Sequence, residues 1–253
     1  MGSRRSKGWV LAVFPVLVLV FGGLGEAQRE PRVPVLVELF TSEGCNSCPP
    51  ADKLLEELLQ EQPIDGVYVV PLSEHVTYWD HQGWKDPFGA QQFTARQQQY
   101  GLRFNLDSIY APQLVIDGTR EFVGSDKRSI ERALADAAKT PKPALTVDVS
   151  ITDGTLNMTA SGPGLTSEKD AELLFAVTED RIVVDVKRGE NANKTLRHSG
   201  VVRWLHSAGT ISSLLPTATI KIAPDWRREN LRVVALVQGK NRRVVSAAYA
   251  MPR

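Results

Sequence analysis

Val35 to Leu59 reads VLVELFTSEGCNSCPPADKLLEELL, and this stretch decides the fold. Its first six residues are mostly apolar strand formers, which predicts a buried β-strand. A polar turn follows and carries Cys45 and Cys48. After two prolines, leucines recur with helical spacing. The sequence therefore predicts a strand, a turn with a C-x-x-C pair, and a helix.

The position of the two cysteines favours redox chemistry. Because proline is tolerated in the first turn of a helix, Pro49 and Pro50 predict a helix start near Cys48, with Ser47 or Asn46 as its cap. Unpaired N–H groups and partial positive charge at a helix amino end favour thiolate over thiol. Two alternatives stay open, a loop staple and half of a zinc or copper site. The metal alternative needs more ligands, and the sequence has no second C-x-x-C.

Composition and the amino terminus indicate an exported globular protein. The 253 residues are 42% hydrophobic with a net charge of +1, which argues against nucleic acid as a partner. Basic residues precede an apolar run, Trp9–Phe21, and small residues precede Gln28, as in a secretory signal peptide. Residues 1–27 are therefore predicted to be a signal peptide. An uncleaved anchor is the alternative, and the only membrane contact expected.

Export to the periplasm or outside the cell changes how the cysteines are interpreted. In such compartments a dithiol is oxidised unless a reducing partner maintains it. The sequence has two cysteines, so Cys45–Cys48 is the one internal disulfide available. A loop this short restricts the unfolded chain little, so we expect a role that is not mainly structural.

A second buried strand, Gly66–Leu72, is expected to run parallel to the first and to end at the same sheet edge as the cysteines. His75 follows this strand and becomes a site candidate. Glu43 and His75 are predicted to adjust the acidity of the thiols, in opposite directions if His75 is charged.

The next segment, Tyr78–Phe88, mixes aromatic and charged residues without clear periodicity and predicts a loop or short helical turns. Trp79 and Trp84 either form a small core under this loop or, with Tyr110 and Ala111, wall a substrate groove beside the dithiol.

A proline precedes the third predicted strand, and a fourth strand and a helix are predicted after it. Pro112 precedes the apolar Leu114–Ile116, and Asp117-Gly118 suits a hairpin turn into a fourth strand. Residues 126–139 predict a final helix capped by Ser125.

This element order, with a C-x-x-C at the first helix and an X-Pro before the third strand, resembles the thioredoxin fold. The resemblance implies that Pro112 is cis, lies against the dithiol and holds substrate backbone. More closely, the chain resembles an exported thioredoxin-like family catalogued as a domain of unknown function, which brings a fold and no established reaction. The Asn-Ser spacer and the Pro-Pro depart from thioredoxin itself. The segments that carry the likeness are FTSEGCNSCPPAD, HVTYWDHQGWKDPF, FTARQQQY and YAPQLVIDG, and the likeness extends to Gly189-Glu190-Asn191 and Val201-Val202-Arg203 in the carboxyl-terminal part.

After a stiff linker at 140–143, eight short and mostly alternating strands predict a β-sandwich-like domain for scaffolding or partner docking. His198, His206 and Trp204 are interpreted as packing or surface residues. The predicted strands are Leu145–Ile151, Leu156–Ala160, Leu173–Val177, Ile182–Val186, Val201–Leu205, Ala218–Ile222, Leu231–Gln238 and Arg243–Ala250.

We therefore expect an α/β thioredoxin-like domain at 28–140, followed by an all-β sandwich-like domain at 144–253. The expected function is thiol–disulfide exchange with exported protein thiols or disulfides, supported by a redox partner protein and without cofactor or metal. Cys45 is predicted to attack, Cys48 to resolve the mixed disulfide and Pro112 to orient the substrate. Two alternatives are a metal carrier that uses the dithiol and a histidine, His75 or His81, and a redox-inert interaction protein.

Overall fold

The computed structural model describes residues 1–2, 32–211 and 216–252. Apart from its first two residues, the predicted signal peptide at 1–27 lies outside the described residues. The described residues from Arg32 onward form one compact unit. Among the described residues, no helix is both long enough and apolar enough to cross a membrane.

The amino-terminal part is built around strand β1 (Val33–Thr41), which is buried along most of its length, as its apolar sequence requires. It runs parallel to β2 (Val67–His75), and helix α1 (Pro49–Glu61) connects the two strands. On its other side, β1 pairs antiparallel with β3 (Gln113–Ile116). The parallel pairing brings the carboxyl ends of β1 and β2 together at the edge where the C-x-x-C turn lies.

Helices cover both faces of these strands. Side chains of successive strand residues point to opposite faces, so Val35, Val37 and Leu39 pack with α1 and α3, whereas Leu36 packs with Phe93 of α2. The remaining elements are α2 (Gln91–Phe104), β4 (Arg120–Val123), α3 (Lys127–Ala138), β5 (Thr146–Thr152), β6 (Thr155–Ser161), β7 (Glu172–Glu179), β8 (Ile182–Asp185), β9 (Thr195–His198), β10 (Val201–Thr210), β11 (Thr217–Lys221), β12 (Leu231–Gln238) and β13 (Val244–Ala250).

One large sheet runs through both parts of the chain, with the strand order β13-β12-β7-β10-β2-β1-β3-β4. The two parts join where β10 pairs in parallel with β2, at Val201 opposite Ser73. The backbone N–H of Ser73 donates to the carbonyl of Gly200 at 2.7 Å. Strands β11, β6 and β5 form a smaller sheet that packs against the carboxyl-terminal strands around Phe175 and Val233.

The predicted fold class is wrong. The described residues are mostly β-structure, with an eight-stranded mixed sheet, two small sheets and three α-helices, rather than an α/β thioredoxin-like domain followed by a separate β-sandwich. The physical reason is that β2 is not an edge strand, because β10 from the carboxyl-terminal part pairs with its free side. Local sequence patterns identify strands but do not specify such a long-range pairing.

Most individual elements are confirmed. The hairpin between β3 and β4 turns at Asp117 and Gly118, which both have positive φ as a tight hairpin requires. The eight strands predicted after residue 144 are present, and β9 is an additional strand. One predicted cap is wrong, because Asp126 rather than Ser125 caps α3, accepting a hydrogen bond from the Ser129 N–H.

Candidate functional site

Cys45 and Cys48 form a disulfide at the amino end of α1, with Cα atoms 5.5 Å apart, so the predicted bond is confirmed. The helix begins at Pro49, and Cys48 itself occupies the cap position without a side-chain hydrogen bond. The expected cap at Ser47 or Asn46 is therefore wrong. Both cysteines are 0% exposed, although Asn46 and Ser47 between them are exposed.

The predicted proline lies beside the dithiol. The Ala111–Pro112 peptide is cis, as the resemblance implied. The carbonyl oxygen of Ala111 lies 3.8 Å from Cys45 Sγ, and the hydroxyl oxygen of Ser47 lies 3.3 Å from the same sulfur. Cys45 therefore contacts a backbone acceptor on one side and a hydroxyl on the other. That hydroxyl could donate to a Cys45 thiolate in the reduced protein.

A buried cluster of ionisable side chains lies at this edge of the sheet, and Asp86 connects its parts. Asp86 Oδ2 accepts from the Glu43 N–H at 2.8 Å and lies 2.7 Å from His75 Nδ1. Glu43 Oε2 accepts a hydrogen bond of 2.7 Å from the indole N–H of Trp84. Glu43 and His75, the predicted modulating residues, are thus brought together. Trp84 holds Glu43 in place.

His198 and Asp52 complete this cluster from other elements. His198, at the end of β9, has its Nε2 3.3 Å from Glu43 Oε1 and its Nδ1 3.9 Å from Asp52 Oδ2. Its ring meets that of His75 edge to face, with centroids 5.0 Å apart. Among the described residues, neither nitrogen of His198 nor Nε2 of His75 has a hydrogen-bond partner. We call Glu43, Asp52, His75, Asp86 and His198 the buried cluster.

Burial and neighbouring charges shift the pKa values in this cluster. Burial opposes the charge of His75, but Asp86 outweighs it and raises the pKa of the imidazole. Burial also opposes the charge of Asp86, yet His75 and the N–H groups of Glu43 and Phe88 lower its pKa. At Asp52 burial dominates and raises the pKa, although His198 and His75 offset part of this effect. The pair His75–Asp86 is thus favoured in its charged form.

Aromatic residues line an open cleft of about 270 Å³ next to the Ala111 carbonyl. Three of the four predicted groove residues take part, and Trp84 does not. His81, the other histidine considered for a metal, is exposed and belongs to this cleft rather than to the buried cluster. The cleft is lined by Tyr78, Trp79, His81, Gln82, Ile109, Tyr110 and Ala111.

Sequence reasoning missed Asp52, Asp86 and His198 as site residues. Asp52 could have been found, because it follows Cys48 by one helical turn and so shares its helix face. Asp86 lies in the aperiodic loop, where the pattern gives no orientation. His198 reaches the cluster only because β10 pairs with β2, whereas sequence reasoning placed it among packing or surface residues.

No metal-binding arrangement is evident in the part of the chain that the structure describes. Within residues 1–2, 32–211 and 216–252, no group of three or more His, Cys, Asp or Glu side chains is arranged to hold a metal ion.

The charged His75–Asp86 pair predicts a pH-dependent loss of stability in Asp86→Asn. A raised His75 pKa contributes stability that is complete below about pH 6.5 and is lost as the pH rises through the native pKa. A lowered Asp86 pKa contributes stability above about pH 3.8 that is lost as the pH falls through the native pKa. Breaking the pair should therefore cost about 3 kcal/mol at pH 5 and less at pH 9.

Urea unfolding at pH 5 and pH 9 measures this difference. The matched control is Asp148→Asn, at an exposed position on β5, which should change the free energy of unfolding by less than about 0.5 kcal/mol at either pH. An equal loss for Asp86→Asn at both pH values would show that the ion pair does not carry the effect.

Comparison with known proteins gives a family, and the similar solved structures include two from bacteria named below. Residues 36–238 match the family described as "Protein of unknown function (DUF1223)". A protein of Agrobacterium tumefaciens with a crystal structure is 26% identical, with a TM-score of 0.68, over 88% of this chain and 96% of that chain. HBP35 of Porphyromonas gingivalis is 15% identical, with a TM-score of 0.58, over 88% of this chain and 76% of that chain, a likeness of fold alone.

A search among curated proteins finds no match. The family match extends from β1 to β12 and so includes the dithiol, the buried cluster and the junction of the two parts. The chain belongs to the DUF1223 family.

Proposed function

We propose that this chain is an exported thiol–disulfide oxidoreductase that acts on protein thiols through Cys45 and Cys48. The observation that carries the proposal is the disulfide itself, closed across three residues at the amino end of α1. A disulfide stabilises a fold mainly by restricting the unfolded chain, and the restriction is small for a short loop. A helix amino end, in contrast, stabilises the thiolates that exchange requires.

The proposed exchange reaction has two steps. In the reduced protein, the Cys45 thiolate attacks one sulfur of a client disulfide, so a mixed disulfide forms and the other client sulfur leaves as a thiolate. The Cys48 thiolate then attacks Cys45 Sγ, which forms the Cys45–Cys48 bond and releases the second client thiolate. The client gains two electrons, and the dithiol loses two. The reverse sequence oxidises client thiols, and a redox partner protein restores the starting state.

Ala111 and Pro112 are the residues that we propose to orient the client. The Ala111 carbonyl, at 3.8 Å from Cys45 Sγ, offers a hydrogen-bond acceptor to an extended peptide that carries the reacting sulfur. The cleft walled by Trp79 and Tyr110 begins at the same residue and is apolar enough to take a neighbouring side chain.

The buried cluster supplies a place for the protons that exchange moves. Cys48 and Asp52 lie one turn apart on the buried face of α1. Burial raises the pKa of Asp52, so this carboxyl group retains a proton at a higher pH than an exposed aspartate does. His198, whose Nδ1 lies 3.9 Å from Asp52 Oδ2, is the residue that we propose to pass the proton on.

Cysteine substitutions test the exchange and the two roles together. Reduced Cys48→Ser should accumulate a mixed disulfide with insulin, because the attacking thiol remains and the resolving thiol is absent. Cys45→Ser is the matched control and should accumulate little. Non-reducing electrophoresis and intact-protein mass measure the adduct. Adducts in Cys45→Ser alone would exchange the roles, and no adduct in either variant would contradict the proposed function.

Export is tested by the amino terminus of the protein isolated from its source. Cleavage before Gln28 should give a chain that begins at this residue, in the periplasmic or secreted fraction. Mass spectrometry of the amino-terminal peptide identifies the cleavage site. An intact terminus on a membrane-bound chain would support the uncleaved anchor, and a cytosolic full-length chain would contradict export.

A further inference from the structure

The hairpin formed by β8 and β9 reaches over the dithiol from the carboxyl-terminal part. These two strands form a sheet of their own, separate from the eight-stranded sheet. A two-stranded hairpin is marginally stable by itself, so its position depends on the contacts that it makes. Its base is held near α1, where Leu196 is buried and His198 joins the buried cluster.

Asn191 fastens the turn of this hairpin to the C-x-x-C turn. Its side-chain Nδ2 donates to the carbonyl oxygens of both Glu43 and Cys45, each at 2.9 Å. The residue is 0% exposed, and its Oδ1 accepts from Lys194 Nζ at 2.9 Å. One side chain thereby holds both ends of the segment that leads into the dithiol.

Two further contacts seat the turn on the exposed side of the dithiol. The carboxylate of Glu190 accepts from the Asn46 N–H at 3.2 Å, between the two cysteines. Gly189 lies close to the Tyr78–Phe88 segment, which we call the aromatic loop. An added Cβ on Gly189 would stand 2.9 Å from the carbonyl oxygen of Gln82 in that loop. The turn therefore bridges the space between the C-x-x-C turn and the aromatic loop.

This arrangement conflicts with exchange unless part of the structure moves. A thiolate must approach a disulfide sulfur directly, and exchange rates depend on that access. Neither cysteine is accessible here, and Pro112 on the opposite side continues into β3 of the large sheet. The hairpin turn is attached to the C-x-x-C turn through the side chains of Asn191 and Glu190. It can therefore move away at a lower free-energy cost than β3, which is paired within the large sheet.

We propose that the β8–β9 hairpin is a cover over the Cys45–Cys48 disulfide and that Asn191 is its latch. Opening the turn releases the Asn46 N–H and the carbonyls of Glu43 and Cys45, and it exposes the disulfide to an incoming thiolate. The purpose of the cover rests on the proposed function, but the access that it controls can be measured without any client protein.

The rate of disulfide reduction by dithiothreitol, followed by alkylation and mass measurement, tests the cover. Asn191→Ala removes both hydrogen bonds of the latch and should raise the second-order rate constant by about tenfold. Gly189→Ala should also raise it, because its Cβ displaces the turn from the Gln82 carbonyl and its φ of +78° disfavours a side chain. The matched control, Arg188→Ala, changes an exposed neighbour in the same turn and should leave the rate within about twofold.

Circular dichroism establishes which variants are folded, and the conclusion is drawn from those. Faster reduction of Asn191→Ala or Gly189→Ala, with Arg188→Ala unchanged, supports the cover. Equal rate constants in wild type and in the folded latch variants, or a rise of the same size in Arg188→Ala, would overturn it.

Client exchange separates this inference from the proposed function. If the latch variants are reduced faster but neither wild type nor the variants exchange with insulin, the cover is supported and the proposed oxidoreductase function is contradicted. If wild type exchanges readily with insulin and the latch variants are reduced no faster, the proposed function is supported and the cover is contradicted.

Discussion

The pairing of β10 with β2 is the constraint on which the rest of the structure depends. It rests on Val201 opposite Ser73 and on the hydrogen bond from the Ser73 N–H to the Gly200 carbonyl. This short contact makes one sheet out of strands from both parts of the chain. It also fixes β9, which ends just before β10, beside the carboxyl end of β2. His198 and His75 meet for that reason.

The two parts are also joined through buried polar contacts on the α2 side of the sheet. Arg96 of α2 donates to Glu38 of β1 at 2.6 Å and to the side chain of Gln238, at the end of β12, at 3.0 Å. Buried charges must be paired and hydrogen-bonded to be tolerated, and these are. In the buried cluster, several nitrogen and oxygen atoms have no hydrogen-bond partner among the described residues, and the same is true of the Glu74 carboxylate beside Arg96. Groups that are costly to bury and incompletely paired are typical of sites that move protons.

Local patterns in the sequence predicted the elements but not their assembly. The C-x-x-C turn, the disulfide and the hairpin at Asp117-Gly118 follow from residues that are adjacent in the chain. The fold class was wrong because no local pattern specifies that β10 completes the free side of β2. Glu43 and His75 follow β1 and β2, whose parallel pairing the sequence predicted. His198 lies beside them through the pairing of β10 with β2, which the sequence did not predict. Asn191 lies in a segment that the family likeness includes, but its contacts could not be predicted from the sequence, because its partners are backbone carbonyls of a distant turn.

The central claim is that the Cys45–Cys48 bond is a reversible redox couple, and its reduction potential tests that claim most directly. The measurement counts alkylatable thiols after equilibration in a series of glutathione and dithiothreitol buffers. We expect both thiols to appear together in one two-electron transition, within the range of exchange proteins, roughly −120 to −270 mV. A bond that stays closed in buffers below about −300 mV would behave as a structural disulfide and would contradict the account.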